Sequence, residues 1–283
     1  MHNAAFKHFD ISASYDIFDV PENGLDEFFE NYVLNGKLNG FNVTVPYKEK
    51  VYEMMCTHSS WKCYFNEPVE KGGTLNTVNV TTSGLFGDNT DFSGFLGSLA
   101  EDVGFISKNS VELPKNTSVF VAGAGGAGRP ISIFLAIAAA SNGGGRVEVY
   151  DPDASKIESL RTIVQREGCL ENIFMTTDKK DMSENIPRCD LVVNATPLGT
   201  KKGDPLPFDP DMLKDGAVVY DLVYARETEL VTRARARGLT AVNGLGMLVN
   251  QGALAFEIWT DKPYEEVRKV MRDAAEKALK GAA

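Results

Sequence analysis

Apolar residues along the chain follow two alternating spacings. Short apolar runs predict buried strands, whereas apolar residues three or four positions apart predict amphipathic helices. The predicted strands cover residues 17–20, 40–43, 74–81, 84–87, 118–122, 146–150, 189–194, 217–222 and 240–242. The predicted helices cover residues 24–34, 46–55, 90–103, 129–140, 153–166, 227–236, 247–259 and 264–279. The strands at residues 74–81 and 84–87 are expected to form a hairpin around Thr82-Ser83. Because strands and helices alternate along the chain, we expect an α/β fold with two mainly parallel sheets.

Two stretches show neither the strand spacing nor the helix spacing. Residues 56–73 are predicted to form a long loop, and residues 104–115 a polar linker into the second half of the chain. A length of 283 residues suffices for two ordinary domains. We therefore expect two domains.

The most informative motif is Gly-Ala-Gly-Gly-Ala-Gly at residues 123–128. A predicted strand precedes it, a predicted helix follows it, and the next predicted strand leads into Asp151. This order is typical of a dinucleotide-binding βαβ unit. Gly123 would permit the tight turn, Gly125 the approach of a pyrophosphate, and Gly128 the close packing of helix on strand. The N-terminus of the helix would then bind the phosphates.

Composition narrows the class of protein further. The hydrophobic share of 43% and the charged share of 24% are those of a globular protein. A net charge of −10 disfavours nucleic acid and anionic membranes as partners. The opening residues lack an apolar signal core, and no apolar run approaches the length of a membrane span. We therefore expect a cytoplasmic protein.

The cysteine pattern agrees with a cytoplasmic protein and does not indicate a metal site. The four cysteines form no Cys-x-x-Cys pair, which fits a reducing compartment. The spacing of Cys56, His58 and Cys63 matches no zinc pattern. We therefore expect no metal site.

Seven short motifs lie between residues 42 and 251. They are Asn42-Val43-Thr44-Val45-Pro46-Tyr47-Lys48, Leu75-Asn76-Thr77, Gly87-Asp88-Asn89-Thr90-Asp91, the glycine motif, Asn194-Ala195-Thr196-Pro197-x-Gly199, Asp221-Leu222-Val223-Tyr224, and Gly244-Leu245-Gly246-Met247-Leu248 with Gln251. In this order they resemble the motifs of the shikimate/quinate dehydrogenase family. Any one can arise by chance, but the ordered set is specific.

The resemblance implies a division of labour between two domains. A substrate domain would comprise residues 1–92 and 248–283, so that the C-terminal helices return to it. A Rossmann-type NAD(P)-binding domain would comprise residues 93–247. We expect the reaction to take place in a cleft between the domains.

The resemblance also implies reversible hydride transfer between a nicotinamide cofactor and a ring alcohol. The product would be shikimate from 3-dehydroshikimate, on the route to aromatic amino acids, or quinate from 3-dehydroquinate. By similarity, Lys48 and Asp91 are the catalytic pair. An ammonium can stabilise an alkoxide and deliver its proton, while a carboxylate orients the amine. Lys50, in contrast, is expected to be a solvated helix lysine.

Further contacts follow from the same resemblance. Substrate hydroxyls or the substrate carboxylate would be bound by Thr44, Asn76, Tyr224 and Gln251. Asn42 is as readily interpreted as a turn residue. The cofactor would be bound by Gly123, Gly125, Gly126, Ala127, Gly128, Asp151, Lys156, Asn194, Thr196, Leu222 and Gly244.

The chain departs from the family at the cofactor. NADP-using members carry basic residues after the second strand of the βαβ unit, but this chain reads Tyr150-Asp151-Pro152-Asp153. Asp151 could accept a hydrogen bond from a ribose 2′-hydroxyl and would repel a 2′-phosphate. We therefore expect NAD to be favoured, with NADP as the alternative. Asp151 could instead cap the next helix, a role that Asp153 could also fill.

A second departure concerns the start of the chain. Family members begin with a strand carrying Gly-x-Pro-Ile-x-His-Ser-x-Ser-Pro, whose serines contact the substrate, whereas this chain opens at Met1-His2-Asn3. We expect the true start to lie upstream. The alternative is a shortened member with weakened substrate binding.

Two other hypotheses stay open at this point. One is a dehydrogenase of the same two-domain design with another substrate, and the other is a nucleotide-binding protein without catalytic activity. The sequence decides neither between shikimate and quinate nor the direction of the reaction. It also leaves the oligomeric state open, with a homodimer as one option.

Overall fold

The computed structural model of the chain describes residues 1–21, 23–108, 112–141 and 145–282. Residues 109–111 of the predicted linker lie outside the described residues. The chain divides into two compact units. Unit 1 comprises Met1–Thr90 and Gln251–Ala283, and unit 2 comprises Asp91–Asn250.

Helices and strands alternate along most of the described chain. The helices are α1 (His2–His8), α2 (Leu25–Phe28), α3 (Lys48–Thr57), α4 (Glu67–Gly72), α5 (Asp91–Ser98), α6 (Gly128–Ser141), α7 (Ala154–Arg166), α8 (Lys179–Asn185), α9 (Glu229–Ala236), α10 (Leu245–Thr260) and α11 (Tyr264–Ala282). The π-helical turns Phe29–Val33 and Leu99–Val103 extend α2 and α5. The strands are β1 (Gly40–Asn42), β2 (Cys63–Phe65), β3 (Thr77–Thr81), β4 (Gly84–Asp88), β5 (Ser118–Ala122), β6 (Arg146–Tyr150), β7 (Ile173–Thr176), β8 (Leu191–Asn194), β9 (Val218–Asp221) and β10 (Thr240–Asn243).

Unit 2 contains a six-stranded parallel sheet in the order β10-β9-β8-β5-β6-β7. Successive residues of a strand point to opposite faces. Val119 and Val121 of β5 accordingly join one hydrophobic cluster, and Phe120 and Ala122 join the other. This sheet is buried on both faces, which confirms the expectation for parallel strands. The order reverses direction beside β5, where ligands bind in open α/β sheets.

Unit 1 contains a mixed sheet of four strands in the order β1-β3-β4-β2. The β1–β3 and β3–β4 pairs are antiparallel, and only β2 and β4 run parallel. The expectation of a mainly parallel sheet is therefore wrong for this unit. The reason is the short turn at Thr82-Ser83, which joins β3 to β4 as a hairpin and so requires antiparallel pairing.

The predicted strand at residues 17–20 is also wrong. This segment pairs with no strand among the described residues, and the side chain of Ile17 is 93% exposed. Its contacts are instead made by side chains. Phe18 packs edge-on against Phe28, and the Tyr47 hydroxyl donates a hydrogen bond to the carbonyl of Val20. An apolar run becomes a strand only where another strand offers its backbone groups.

The predicted loop at residues 56–73 contains β2 and α4. Trp61 stacks on the buried Phe29 with ring centroids 4.8 Å apart, and the Asn66 side chain caps α4 by accepting from the Val69 N–H. Strand β2 has three residues and pairs only at the sheet edge, so its sequence shows no period of its own. Elements α1, β7 and α8 were likewise not predicted. No helix within the described ranges is long and apolar enough to cross a membrane.

The imidazole of His2 is buried in unit 1. It stacks on Tyr15 at 4.1 Å and lies beside Trp259, and its Nε2 has no hydrogen-bond partner among the described residues. Burial, together with the positive charge of the adjacent N-terminus, lowers the pKa of His2 to about 4, against an opposing backbone hydrogen bond with Gly252. The neutral form of this ring is therefore the one that fits the folded state.

We predict that unit 1 loses stability as the pH falls through this interval. The unfolded chain binds the proton near pH 6.5 and the folded chain only near pH 4, so protonation favours unfolding between them. Between pH 7 and pH 4.5 the loss should be about 2–3 kcal/mol. It is measured by urea unfolding at about pH 7 and about pH 4.5. Trp61 and Trp259, the two tryptophans of the chain, both belong to unit 1 and report it by fluorescence.

A matched pair of variants tests the assignment to His2. His2→Phe keeps the stacking ring without the proton site, so its stability should fall with pH by about 2–3 kcal/mol less than that of the unchanged chain. His58→Phe replaces an exposed imidazole and should leave the pH dependence as it was. Equal pH dependence in both variants would show that His2 does not carry the effect.

Candidate functional site

The glycine motif forms a tight turn between β5 and α6. Gly123 has a φ of +101°, and a Cβ there would lie 2.9 Å from the carbonyl of Ala195. A Cβ on Gly128 would overlap the carbonyl of Gly123, so helix and turn approach as closely as glycine allows. Gly126 and Ala127 complete the turn between them.

Gly125 differs from its neighbours because it faces open space. A Cβ built there meets no atom within 4 Å. Its carbonyl accepts from the Arg129 N–H at 2.8 Å, which starts the hydrogen-bond pattern of α6. The turn therefore leaves a cradle at the N-terminus of a helix, which is the arrangement that accepts a pyrophosphate. The residues present fit a dinucleotide.

Asp151 follows the last residue of β6, and its carboxylate is 4% exposed. One oxygen accepts from the Ala124 N–H in the glycine turn and the other from the Asp153 N–H, each at 2.9 Å. The Lys156 ammonium lies 3.6 Å from the first oxygen. The cap of α7 is Asp153, which accepts from the Ser155 N–H. Asp151 is thus not the helix cap.

Asp153 adds a second carboxylate close to this position. Hydrogen bonds from the hydroxyl and N–H of Ser155 hold the pKa of Asp153 below its usual value. Lys156 lies 4.0 Å from it. One ammonium therefore faces two carboxylates at the end of β6, and the local charge is negative.

The loops after β8 and β9 border a cleft of about 240 Å³. Its lining residues are Thr196, Thr200, Leu222, Val223, Tyr224 and Ala225. The neighbouring backbone is tightly packed, because a Cβ on Gly244 would overlap the carbonyl of Leu222. Asn194 lies behind the cleft, fully buried at the end of β8. Four predicted cofactor residues, Asn194, Thr196, Leu222 and Gly244, thus lie at one end of the sheet of unit 2.

In unit 1 the structure brings together three of the predicted residues. The Asn76 side chain is 3% exposed and donates to the Gln251 carbonyl oxygen at 3.4 Å. The Leu75 N–H donates to the backbone carbonyl of Lys48 at 3.2 Å, which holds the first residue of α3 beside Asn76. Asn76 and Gln251 therefore form one polar cluster, although 175 positions separate them, and the backbone of Lys48 lies next to it.

The Asn76 amide is held in one orientation by its other partners. Its oxygen accepts from the Thr90 N–H at 2.9 Å and from the Thr77 hydroxyl at 2.9 Å. Its nitrogen also donates to the Thr90 hydroxyl at 3.1 Å. These bonds fix the orientation of the buried Asn76 amide and of the Gln251 side chain bonded to it.

Thr44 lies in the loop between β1 and α3 and is exposed. The preceding residue, Val43, donates its N–H to the carbonyl of Asn76 at 2.8 Å. Asn42 donates to the same carbonyl and to the Thr77 hydroxyl, each at 3.0 Å. The loop is therefore fastened to the polar cluster from its strand side.

One member of this network was missed from the sequence. The Tyr15 hydroxyl donates to the Asn42 side-chain oxygen at 2.9 Å, and burial raises the pKa of that hydroxyl. Tyr15 lies in a segment without periodicity, so no local signal marks it. Its role follows only from the contact between segments 27 positions apart.

The remaining predicted residues belong to unit 2. Asp91 is the first residue of α5 and is 4% exposed. Tyr224 is 45% exposed at the cleft. Among the described residues, no group of three or more His, Cys, Asp or Glu side chains could hold a metal ion.

Comparison with known proteins decides the family. Residues 1–61 match the model of the shikimate dehydrogenase substrate binding domain, and residues 244–276 match that of the shikimate 5'-dehydrogenase C-terminal domain. The NADP-dependent shikimate dehydrogenase of Methanopyrus kandleri is 34% identical over 97% of this chain and 88% of its own length. The chain belongs to the shikimate dehydrogenase family.

Solved structures of the family have the same fold. Shikimate 5-dehydrogenase from Thermus thermophilus, in complex with shikimate, superposes with a TM-score of 0.74 at 29% identity, covering 98% of this chain and 92% of the other. Quinate dehydrogenase from Corynebacterium glutamicum, in complex with NAD, superposes with a TM-score of 0.70 at 29% identity, covering 87% and 81%. The family expectation, the two-domain α/β architecture and the oxidoreductase class are thereby confirmed.

We predict that Gly125→Ala separates nucleotide binding from folding. The added methyl group meets no protein atom but fills the cradle, so affinity for NAD or NADP should fall at least about tenfold, or about 1.4 kcal/mol. The melting temperature should stay within about 2 °C. Calorimetric titration and thermal unfolding measure the two effects.

Gly128→Ala is the contrasting variant. Its methyl group would overlap the Gly123 carbonyl, so it should lower the melting temperature itself. Unchanged nucleotide affinity in Gly125→Ala would refute the assignment of this turn to the pyrophosphate.

Proposed function

We propose that this protein is a shikimate dehydrogenase that catalyses the reversible, NAD(P)-dependent interconversion of shikimate and 3-dehydroshikimate. The observation that carries the proposal is the polar cluster of Asn76 and Gln251 in unit 1, beside which the backbone of Lys48 lies. Two uncharged amides suit a polyol, and the family resemblance assigns the amine of this site to Lys48. Family membership and the dinucleotide cradle of unit 2 support the same reaction.

Amides suit this substrate because they orient hydroxyl groups without placing a charge in a buried site. Asn76 and Gln251 each offer a donor and an acceptor. We assign to them, with Thr44 and Tyr224, the hydroxyl groups and the carboxylate of the ring. Quinate has a saturated ring with one more hydroxyl group, on the carbon that bears the carboxylate, and it is the second substrate to test.

We assign the proton transfer to Lys48 and Asp91. Oxidation removes a hydride from the carbinol carbon and a proton from its hydroxyl. A nicotinamide held by unit 2 would supply the hydride acceptor. The ε-amine of Lys48 takes up the hydroxyl proton, and in the reverse direction the ammonium returns it and stabilises the alkoxide. By the family resemblance, we assign to the Asp91 carboxylate the orientation of this amine.

We further propose that NAD is the preferred cofactor. The Asp151 carboxylate at the end of β6 accepts from the glycine turn and keeps lone pairs for a ribose 2′-hydroxyl. A 2′-phosphate would meet the negative charge of Asp151 and Asp153, which Lys156 balances only in part. The NAD-bound quinate dehydrogenase of C. glutamicum is a relative that supports this assignment.

Replacement of Lys48 should mainly lower kcat. Lys48→Ala removes the group that moves the proton, so kcat for shikimate oxidation should fall by about 10²–10⁴ while KM changes little. Lys50→Ala is the matched control on the same helix, because Lys50 is exposed, and it should stay within about twofold. Steady-state NADH or NADPH production measures both.

A Lys48→Ala variant with unimpaired kcat would refute the catalytic role. Absence of turnover in the unchanged chain with both shikimate and quinate, despite binding of NAD, would favour a nucleotide-binding protein without this activity.

Cofactor choice should depend on the charge of Asp151. The unchanged chain should show a higher kcat/KM with NAD than with NADP. Asp151→Asn keeps an acceptor for the glycine turn but removes the charge, so the ratio should shift towards NADP by about tenfold. Initial rates with each cofactor at saturating shikimate provide the test. Equal or better turnover of the unchanged chain with NADP would overturn the preference.

A further inference from the structure

The carboxylate of Asp221 is fully buried at the end of β9 and accepts three hydrogen bonds. One oxygen accepts from the Asn194 amide at 2.8 Å and from the Val223 N–H at 3.1 Å. The other accepts from the Thr228 hydroxyl at 2.5 Å. Burial raises the pKa of Asp221, and these three donors oppose that shift. A buried carboxyl group with three protein donors acts as a joint between the segments that supply them.

Asn194 extends this joint into the first loop of the cleft, residues 195–200, here called loop A. The Asn194 nitrogen also donates to the Leu198 carbonyl at 3.0 Å. Its oxygen accepts from the Thr196 N–H at 3.0 Å and from the Thr196 hydroxyl at 2.6 Å. Every hydrogen-bonding atom of the Asn194 side chain is thereby used inside the protein. Asn194 thus fixes the conformation of loop A through its hydrogen bonds to Thr196 and Leu198.

Thr228 extends the joint into the second loop, residues 222–228, here called loop B. Its hydroxyl donates to Asp221 and accepts from the Val231 N–H at 3.3 Å, which caps α9. Loop A touches the same residue, because a Cβ on Gly199 would lie 3.1 Å from the Thr228 methyl group. The hydroxyl of Thr228 therefore fixes loop B to the strand end and to the helix at once.

Loops A and B supply all of the residues that line the cleft of about 240 Å³. They follow β8 and β9, on the side of β5 opposite to β6 and Asp151. In a sheet of this order a dinucleotide lies across the strand ends, with the adenosine half next to the acidic residue after the second strand. The nicotinamide half then belongs to loops A and B.

We propose that Asp221 and Thr228 are positioning residues that hold loops A and B in the conformation that accepts the nicotinamide half of the cofactor. The inference rests on the proposed use of NAD(P). Neither Asp221 nor Thr228 is proposed to contact the reacting atoms. Loss of the joint should weaken binding of the whole cofactor but not of its adenosine diphosphate half.

The test compares NAD with ADP-ribose, which lacks the nicotinamide ring, by calorimetric titration in the absence of substrate. Thr228→Val removes the hydroxyl at nearly constant volume, and it should raise the Kd of NAD at least tenfold while the Kd of ADP-ribose changes less than twofold. Thr228→Ser restores the hydroxyl and should return the Kd of NAD to within about threefold of the original.

Thr232→Val is the matched control. Its hydroxyl lies one turn along α9 and donates only to the carbonyl of Thr228, so both Kd values should remain within about twofold. Asp221→Asn is a second variant that keeps the size of the side chain. It leaves the Thr228 hydroxyl without its acceptor and should raise the ratio of the two Kd values in the same direction. This variant decides the question if Thr228→Val does not fold.

The proposal is overturned if the variants weaken NAD and ADP-ribose equally, because the joint would then serve only the stability of unit 2. An unchanged Kd for NAD, or an unchanged chain that binds ADP-ribose as tightly as NAD, overturns it as well. These measurements need no turnover. A chain that binds NAD but does not oxidise shikimate would therefore contradict the proposed function and leave the inference on Asp221 and Thr228 intact.

Discussion

Hydrogen bonding at the carboxyl ends of the parallel strands organises unit 2. Polar groups in the turns that follow the strands are buried, and burial without a hydrogen-bond partner is costly. Two acidic side chains supply acceptors. Asp151 accepts from the Ala124 N–H in the glycine turn, and Asp221 accepts from the Asn194 side chain at the end of β8 and from the Val223 N–H after β9. Both acidic residues are themselves buried, so each fixes the segments that are bonded to it. The glycine turn bonded to Asp151 borders the cradle, and the loops bonded to Asp221 and Asn194 border the cleft.

Unit 1 uses uncharged groups for a comparable purpose. The Asn76 amide is fixed by Thr77, Thr90 and Gln251, and the loop that carries Thr44 is fastened to the Asn76 backbone. An amide offers donor and acceptor at once, so a network of amides and hydroxyls can be satisfied inside the protein without a charged group. A charged network at the same depth would carry a larger desolvation cost. In the proposed site, the residue assigned to supply the positive charge is Lys48.

Sequence patterns predicted the helices and strands of unit 2 better than those of unit 1. In unit 2 the central strands β5, β8 and β9 are buried almost throughout, and helices α6 and α7 have 14 and 13 residues, so apolar runs and helical spacing marked most elements, with β7 and α8 missed. In unit 1 short edge elements depend on their partners. Strand β2 exists because β4 offers its edge, while the equally apolar residues 17–20 have no such partner and stay outside the sheet. Periodicity describes a side-chain pattern and contains no information about which backbone lies alongside.

The sequence by itself determined the family, the α/β class, the glycine turn and the identity of the candidate residues, because these depend on residue type and short spacing. Tertiary structure alone decided the mixed sheet of unit 1, the capping role of Asp153 and the joints built on Tyr15, Asp221 and Thr228. These features depend on hydrogen bonds between distant segments, such as that between Asn76 and Gln251. Such bonds have angular and distance requirements that only the folded backbone can satisfy.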